Sequence, residues 1–259
     1  MPFKNDEESE LVKLNILKLL NEKYGIVEDD LISSDLELVP AMKARDIGFD
    51  RSMIGGYAHD DRSCAYPCIE AILECTSPEK TTIVLLADKE ETGSDGNTGM
   101  QSNFLKYLIS DLANMDDVKG RDVLSKSKCL SADVNAAFDP TFANSYEVRN
   151  SSFMNHGVVL TKYTGSGGKY GTSDASAEFT GEICKLFSDN NVVWQSSELG
   201  KVDIGGGGTI AKYVSNLNAD VIDVGVPVLS MHSPFEVISK IDLYMTFKGI
   251  KAFFSDYDI

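Results

Sequence analysis

Six acidic residues and one histidine stand where their types and spacing could do chemistry together. Asp60 and Asp61 lie in Tyr-Ala-His-Asp-Asp-Arg, just ahead of a helical pattern, and Asp88, Glu90 and Glu91 follow the apolar run 82–87. Asp133 ends a run that begins at Lys128, and His232 ends the run 226–231. Carboxylate oxygens with an imidazole at successive strand ends make the ligand set of a catalytic divalent zinc or manganese ion. The adjacent pair Glu90-Glu91 supplies two roles, one carboxylate as ligand and its neighbour as a base that takes a proton from water. A paired-metal centre also needs a carboxylate that bridges the ions, and Asp60 is the natural candidate. Each residue taken alone also fits a plainer role. Asp60 suits a helix N-cap, Glu90-Glu91 a solvated turn, Asp133 a loop cap, and His232 a hydrogen-bonded core histidine.

The elements that must carry these groups alternate in type. Strands are expected at 82–87, 128–133, 157–162, 191–195, 219–224 and 226–231, and helices at 62–74, 97–112, 172–187, 208–217 and 234–254. Such alternation predicts an α/β domain with a mostly parallel central sheet flanked by helices. In open α/β sheets ligands collect at the carboxyl ends of strands, where most of the acidic residues and His232 fall. Ahead of this domain, 7–24 has helical spacing (Leu11, Leu14, Leu20) closed by Gly25, and 33–39 alternates like a half-exposed strand before Pro40.

Composition narrows the class. A chain of 259 residues, 42% hydrophobic, buries one sizeable core. Its apolar runs are far shorter than the roughly 20 residues that span a bilayer. The charged N-terminus lacks the apolar centre of a secretion signal. The formal charge of −16 makes nucleic acid and anionic membranes poor partners. Five cysteines without a CxxC pair read as reduced thiols of a cytoplasmic protein; a zinc held by Cys64, Cys68 and Cys75 fits the spacing less well than one helix face does. Gly205 to Gly208 ahead of Thr209-Ile210 resembles an anion-holding loop opening a helix, yet no GK[ST] ends it, nor does one end Gly-Gly-Lys-Tyr at Gly167 to Tyr170.

Ordered motifs run through the whole chain: Gly55-Gly56-Tyr57-Ala58-His59-Asp60-Asp61-Arg62, Asp88-Lys89-Glu90-Glu91-Thr92-Gly93-Ser94, Ser131-Ala132-Asp133, Lys162-Tyr163-Thr164-Gly165-Ser166-Gly167-Gly168-Lys169, Gly205-Gly206-Gly207-Gly208-Thr209-Ile210-Ala211, and Ser230-Met231-His232-Ser233-Pro234. With these the sequence resembles the two-zinc aminopeptidases typified by aspartyl aminopeptidase, in their bacterial form. The resemblance implies that Asp60 bridges two Zn²⁺ ions, with Co²⁺ or Mn²⁺ as alternatives. Glu91 and His232 would complete one site, Asp133 would serve the other, and Glu90 would be the general base. It further implies removal of N-terminal residues, Asp or Glu among them, from peptides with a free N-terminus. Gly206, Gly207 and Gly208 would line the substrate pocket, and the assembly would be a homo-oligomer. Apart from the resemblance, Lys169, a basic group in a mostly acidic chain, is a candidate for reading an acidic substrate side chain, with a solvated loop lysine as its plainer role.

The same resemblance exposes a gap. The family's second metal takes a histidine from a His-x-Asp strand upstream, but the chain has only His59, His156 and His232, none in that context. Residues 1–44 then read as the tail of an inserted dimerisation domain, and 45–259 as a catalytic domain without its N-terminal strands. Such a chain is expected to bind one divalent metal and to hydrolyse little by itself. Two other readings compete: a non-catalytic protein that keeps the fold for binding or assembly, and an anion- or nucleotide-binding module built on Gly205 to Gly208.

Overall fold

The chain divides into two units, Met1–Ala41 and Met42–Ile259, and the computed structural model describes residues 10–201 and 203–257. In the first unit, helix α1 (Leu11–Tyr24) stops at Gly25, whose φ of 73° is the left-handed geometry that glycine adopts without steric cost. The start of the expected helix, 7–9, lies outside the described residues. A 3₁₀ turn, Glu28–Ser33, follows. No ladder forms at 34–41, so the strand expected at 33–39 is absent: local alternation alone does not make a strand without a partner edge.

Among the described residues the second unit holds eleven strands, and the order in which they pair explains where the site lies. β1 (Arg45–Ile47), β2 (Met53–Gly56), β4 (Asn135–Ala136), β10 (Pro227–Leu229) and β11 (Glu236–Ser239) form a sheet in the order β1-β2-β11-β10-β4. β3 (Lys128–Ala132), β5 (Val158–Thr161), β8 (Trp194–Ser196) and β9 (Asp220–Gly225) form another in the order β3-β9-β5-β8, while β6 (Tyr163–Ser166) and β7 (Tyr170–Asp174) make a hairpin. β3 runs on into β4, and β9 into β10. The bonds from Asp133 N to Val224 O (3.1 Å) and from Asn135 N to Val226 O (3.0 Å) carry the ladder across. In the four-stranded sheet β3·β9 and β5·β8 are parallel and β5·β9 antiparallel. Most pairs of the five-stranded sheet are antiparallel, so the fold is mixed α/β rather than built on one parallel sheet.

Helices cover the sheets: α2 (His59–Glu74), α3 (Phe104–Met115), α4 (Gly120–Leu124), α5 (Ala177–Asp189), α6 (Ala211–Ser215) and α7 (Lys240–Ser255). Val158, Leu160, Ile222 and Val224 of the four-stranded sheet pack against Phe179, Ile183 and Phe187 of α5. Cys64 of α2 packs with Val226, Val228 and Ile238. That contact fixes the start of α2 beside the ends of the strands. α5 begins later than the expected 172–187, because residues 170–174 are claimed by the hairpin and Ser176 caps the helix by accepting from Phe179 N. α7 likewise starts after β11, whose Val237 and Ile238 pair with β2. β8 is shifted toward the C-terminus of 191–195, since Asn191 is left-handed (φ 53°) and Val192 N still closes onto Phe187 O. The α3 helix starts after 97, because 94–102 is taken up by turns such as Gln101 N to Ser94 O (3.0 Å).

The run 82–87 is the instructive departure. It was expected as a strand, yet it belongs to no ladder; only its successor Asp88 bridges to Gly99. β3 is likewise unpaired on the side away from β9 among the described residues. Between these two edges lies a cavity of about 610 Å³, walled by Ile83, Val84 and Leu85 on one side and Cys129 and Leu130 on the other.

Candidate metal centre

The residues gather at one end of that cavity, which Asp60, Asp61, Glu90, Glu91 and Asp133 all line. Asp60 and Asp61 occupy the first turn of α2, where both depart from helical dihedrals and are joined by a cis peptide bond. Glu90 and Glu91 sit in a 3₁₀ turn, Glu90–Thr92, entered through Lys89 and left through Gly93, both left-handed. Asp133 follows β3 directly, and the backbone there is crowded. A Cβ on Gly225 would come within 1.6 Å of the Asp133 carbonyl oxygen, so only glycine lets β9 pass at that distance. His232 lies in the bend after β10 with φ of 63°.

Two clusters result. His232 Nε2 stands 3.0 Å from Asp60 Oδ2 and 3.1 Å from Glu91 Oε1. Asp60 is nearly covered, its side chain 9% exposed, whereas Glu91 and His232 open to solvent. In the second cluster Asp60, Asp61 and Asp133 bring ligand atoms within 4.8 Å of one another. Asp60 belongs to both clusters.

Electrostatics shows what the cluster suits. Burial, with Glu91 nearby, raises the Asp60 carboxyl to about 6. Burial raises Asp61 to about 8, and Asp60 and Glu90 add to the effect. Asp133 is pushed well above the usual carboxylate range by burial and then by Asp61. Glu90 is raised for the same reasons, burial first and Glu91 second. Asp61 Oδ1 is buried and has no hydrogen-bond partner. Carboxylates packed this closely without a cation hold protons they would otherwise lose, and a divalent ion would relieve both the repulsion and the orphaned oxygen. The donor set, carboxylate oxygens with one imidazole, fits zinc.

The family model described as aminopeptidase I zinc metalloprotease (M18) matches residues 1–254. The chain belongs to the M18 family of aminopeptidases. A probable M18 family aminopeptidase 1 of Clostridium acetobutylicum is 50% identical over 260 residues, covering 99% of this chain and 56% of the relative. Its counterpart in Thermotoga maritima is 46% identical over 251 residues, covering 95% and 55%. The crystal structure of aminopeptidase I from Clostridium acetobutylicum superposes with a TM-score of 0.90 at 51% identity, over 99% of this chain and 56% of that one. This M18 chain therefore spans just over half the length of the relatives it matches. Kinship of this order does not favour the reading as a non-catalytic binding or assembly protein.

Of the residues singled out in the sequence, Asp60, Glu91, His232 and Asp133 come together, with Glu90 on the same cavity. Asp88 also lines the cavity but joins neither cluster: it accepts from Thr98 Oγ1 and pairs with Lys89. His59 and His156 belong to neither cluster. His59 Nε2 lies 3.2 Å from Ile54 O and burial lowers its pKa, while His156 Nδ1 faces Met154 O. Lys169 is exposed in the β6–β7 turn. The glycine run lies along the same hairpin, with Gly165 N donating to Gly207 O (2.9 Å) and Gly167 N to Gly205 O (2.8 Å). Neither Lys169 nor Gly206, Gly207 or Gly208 lines the cavity at the carboxylates. A Cβ on Gly206 would meet Gly165 O at 2.2 Å, so close backbone packing accounts for glycine there. Asp61 was not singled out as a ligand, though the doublet Asp60-Asp61 was the available signal. The five cysteines are free, none joins a candidate metal cluster among the described residues, and burial pushes Cys68 up to about 12.

Proposed function

We propose that this chain carries the metal-binding part of an aminopeptidase that removes N-terminal residues from peptides, with Glu90 as general base. The convergence of Asp60, Glu91 and His232 with Asp61 and Asp133, beside Glu90, carries this reading. Asp60, Glu91 and His232 would hold one zinc, and Asp60, Asp133 and Asp61 would face the second. When bound, zinc polarises the scissile carbonyl and lowers the pKa of water. Glu90 accepts the proton of the attacking water as its oxygen adds to the carbonyl carbon, and it returns that proton to the amine nitrogen as the C–N bond breaks. Burial, and then Glu91, raise its pKa, the direction that strengthens a carboxylate as a base.

The second cluster holds carboxylates only, with no imidazole among the described residues. Our reading takes the cavity between β3 and 82–87 as the seat of an extended segment from the remainder of the protein, whose end brings a further ligand to Asp61 and Asp133. Two unpaired strand-like edges and the half-length match to relatives support it. Residues 1–44 are read as the tail of an inserted dimerisation domain, and the whole protein as a cytoplasmic homo-oligomer. Acidic N-terminal residues are the proposed preference, with Lys169 and the hairpin beside Gly206, Gly207 and Gly208 as the candidate lining.

The test is hydrolysis of aspartyl, glutamyl and leucyl p-nitroanilides, free and N-acetylated, by the purified chain loaded with Zn²⁺ or Co²⁺. Little turnover is expected from the chain alone, and a large gain in a chain extended to the length of its relatives. Full-rate hydrolysis by the chain alone would overturn the need for the added segment. Hydrolysis of the acetylated substrates would overturn the aminopeptidase reading.

A further inference from the structure

Glu236 is a buried carboxyl with an unusual pair of partners. It stands at the first position of β11, opposite Gly56 of β2, and is 2% exposed. Its Oε2 accepts from the backbone N of Asp60 at 3.0 Å, and its Oε1 accepts from the backbone N of His232 at 2.7 Å. The two oxygens of one side chain thus hold the main chain of two candidate ligands that lie far apart in sequence.

The backbone on both sides needs holding. Ala58, two residues before Asp60, has φ of 58°, and Ser230 and His232 have φ of 60° and 63°. Non-glycine residues in this region are strained, and they persist only where the surroundings fix them. The side chains that leave these two loops meet at 3.0 Å, His232 Nε2 to Asp60 Oδ2. A leucine at 236 would leave both N–H groups without acceptors, and a glutamine offers one acceptor oxygen and a donor group against the other N–H.

We infer that Glu236 is a positioning residue, a two-oxygen clamp on the Asp60 and His232 amides that sets the approach of those two side chains to a shared metal ion. It acts through Asp60 and His232 and is not itself a ligand. The inference rests on the metal reading above. Groups that orient ligands in this way typically change metal affinity by about 10- to 100-fold when removed.

A control of the same kind exists in the molecule. Asp242 is fully buried, and its two oxygens accept from Asn155 N and Gly157 N, both at 2.7 Å, in a loop that contributes to neither cluster. The experiment titrates the full chain, wild type, Glu236→Gln and Asp242→Asn, with Co²⁺ and follows its visible absorption, with thermal unfolding in parallel. Glu236→Gln is expected to weaken Co²⁺ binding about 10- to 100-fold and to alter the band shape. Asp242→Asn is expected to lower the unfolding midpoint while leaving affinity and spectrum unchanged. Wild-type affinity and spectrum in a folded Glu236→Gln chain would overturn the inference, as would equal weakening by Asp242→Asn. If Glu236→Gln does not fold, Glu236→Asp, with its shorter arm, is read by the same criteria. If the wild-type chain takes up no Co²⁺, the metal reading fails, and amide hydrogen exchange of the metal-free chain decides the clamp. Faster exchange at Asp60 and His232 in Glu236→Gln supports it, and unchanged exchange overturns it.

Discussion

Asp61→Asn should make the metal-free chain more stable at alkaline pH, an unusual result for a substitution in a candidate active site. Asp61 titrates at about 8 in the folded chain against a reference of 3.8, with burial as the main cause. Between those values the unfolded chain has lost a proton that the folded chain keeps. The unfolded state therefore binds fewer protons, and stability falls as pH rises through the window. At about 1.4 kcal/mol per unit the full displacement corresponds to on the order of 6 kcal/mol. Asp60 and Asp133 titrate in the same cluster and share its protons, so removing one carboxylate should recover on the order of 2–3 kcal/mol at pH 8. The chain has one tryptophan, Trp194 in β8, whose fluorescence follows urea unfolding of the second unit. Unfolding free energies with EDTA at intervals from pH 5 to 9 should show the wild type falling more steeply than Asp61→Asn. The general repulsion of a −16 chain is nearly common to both and cancels in the difference. Zn²⁺ at pH 8 should restore the wild type more than the variant. Parallel pH profiles for the two chains would refute the electrostatic reasoning.

Three further outcomes follow from the geometry. Gly225→Ala should cost about 3 kcal/mol or more in urea unfolding, because its Cβ would fall 1.6 Å from Asp133 O and force β9 off β3. Phe187→Ala should cost about 3–5 kcal/mol, since that ring is fully buried against Ile183 and over Gly249, and the same Trp194 signal reads it. In the chain extended to the length of its relatives, Glu90→Gln should lower turnover by about 10²–10⁴ while metal content by elemental analysis stays unchanged, which separates a base from a ligand.

Much of the site was legible because its residues obey a positional rule. Asp133 and His232 follow apolar runs that do form β3 and β10, and residues just past the carboxyl ends of strands are where ligands collect in α/β folds. The ligand roles came from motif resemblance, not periodicity. What stayed hidden was long-range. The run 82–87 has the β-branched composition of a strand, but a strand exists only through its partner, and sequence pattern does not reveal an empty neighbour. β11 was submerged in the expected helix at 234–254, because Glu236–Ser239 is claimed by pairing with β2 across the fold. The same pairing buries Glu236 under Asp60 and His232, a relation with no local signature. Asp61 has no sequence signal beyond its place in the Asp60-Asp61 doublet, and only the fold brings its carboxylate to Asp133.

Anomalous diffraction at the zinc edge from crystals of this chain grown with Zn²⁺ tests the metal centre most directly. A peak is expected within about 2.0–2.2 Å of ligand atoms of Asp60, Glu91 and His232, weaker or missing in Glu91→Ala. No peak at that position, or one held by other residues, would contradict it.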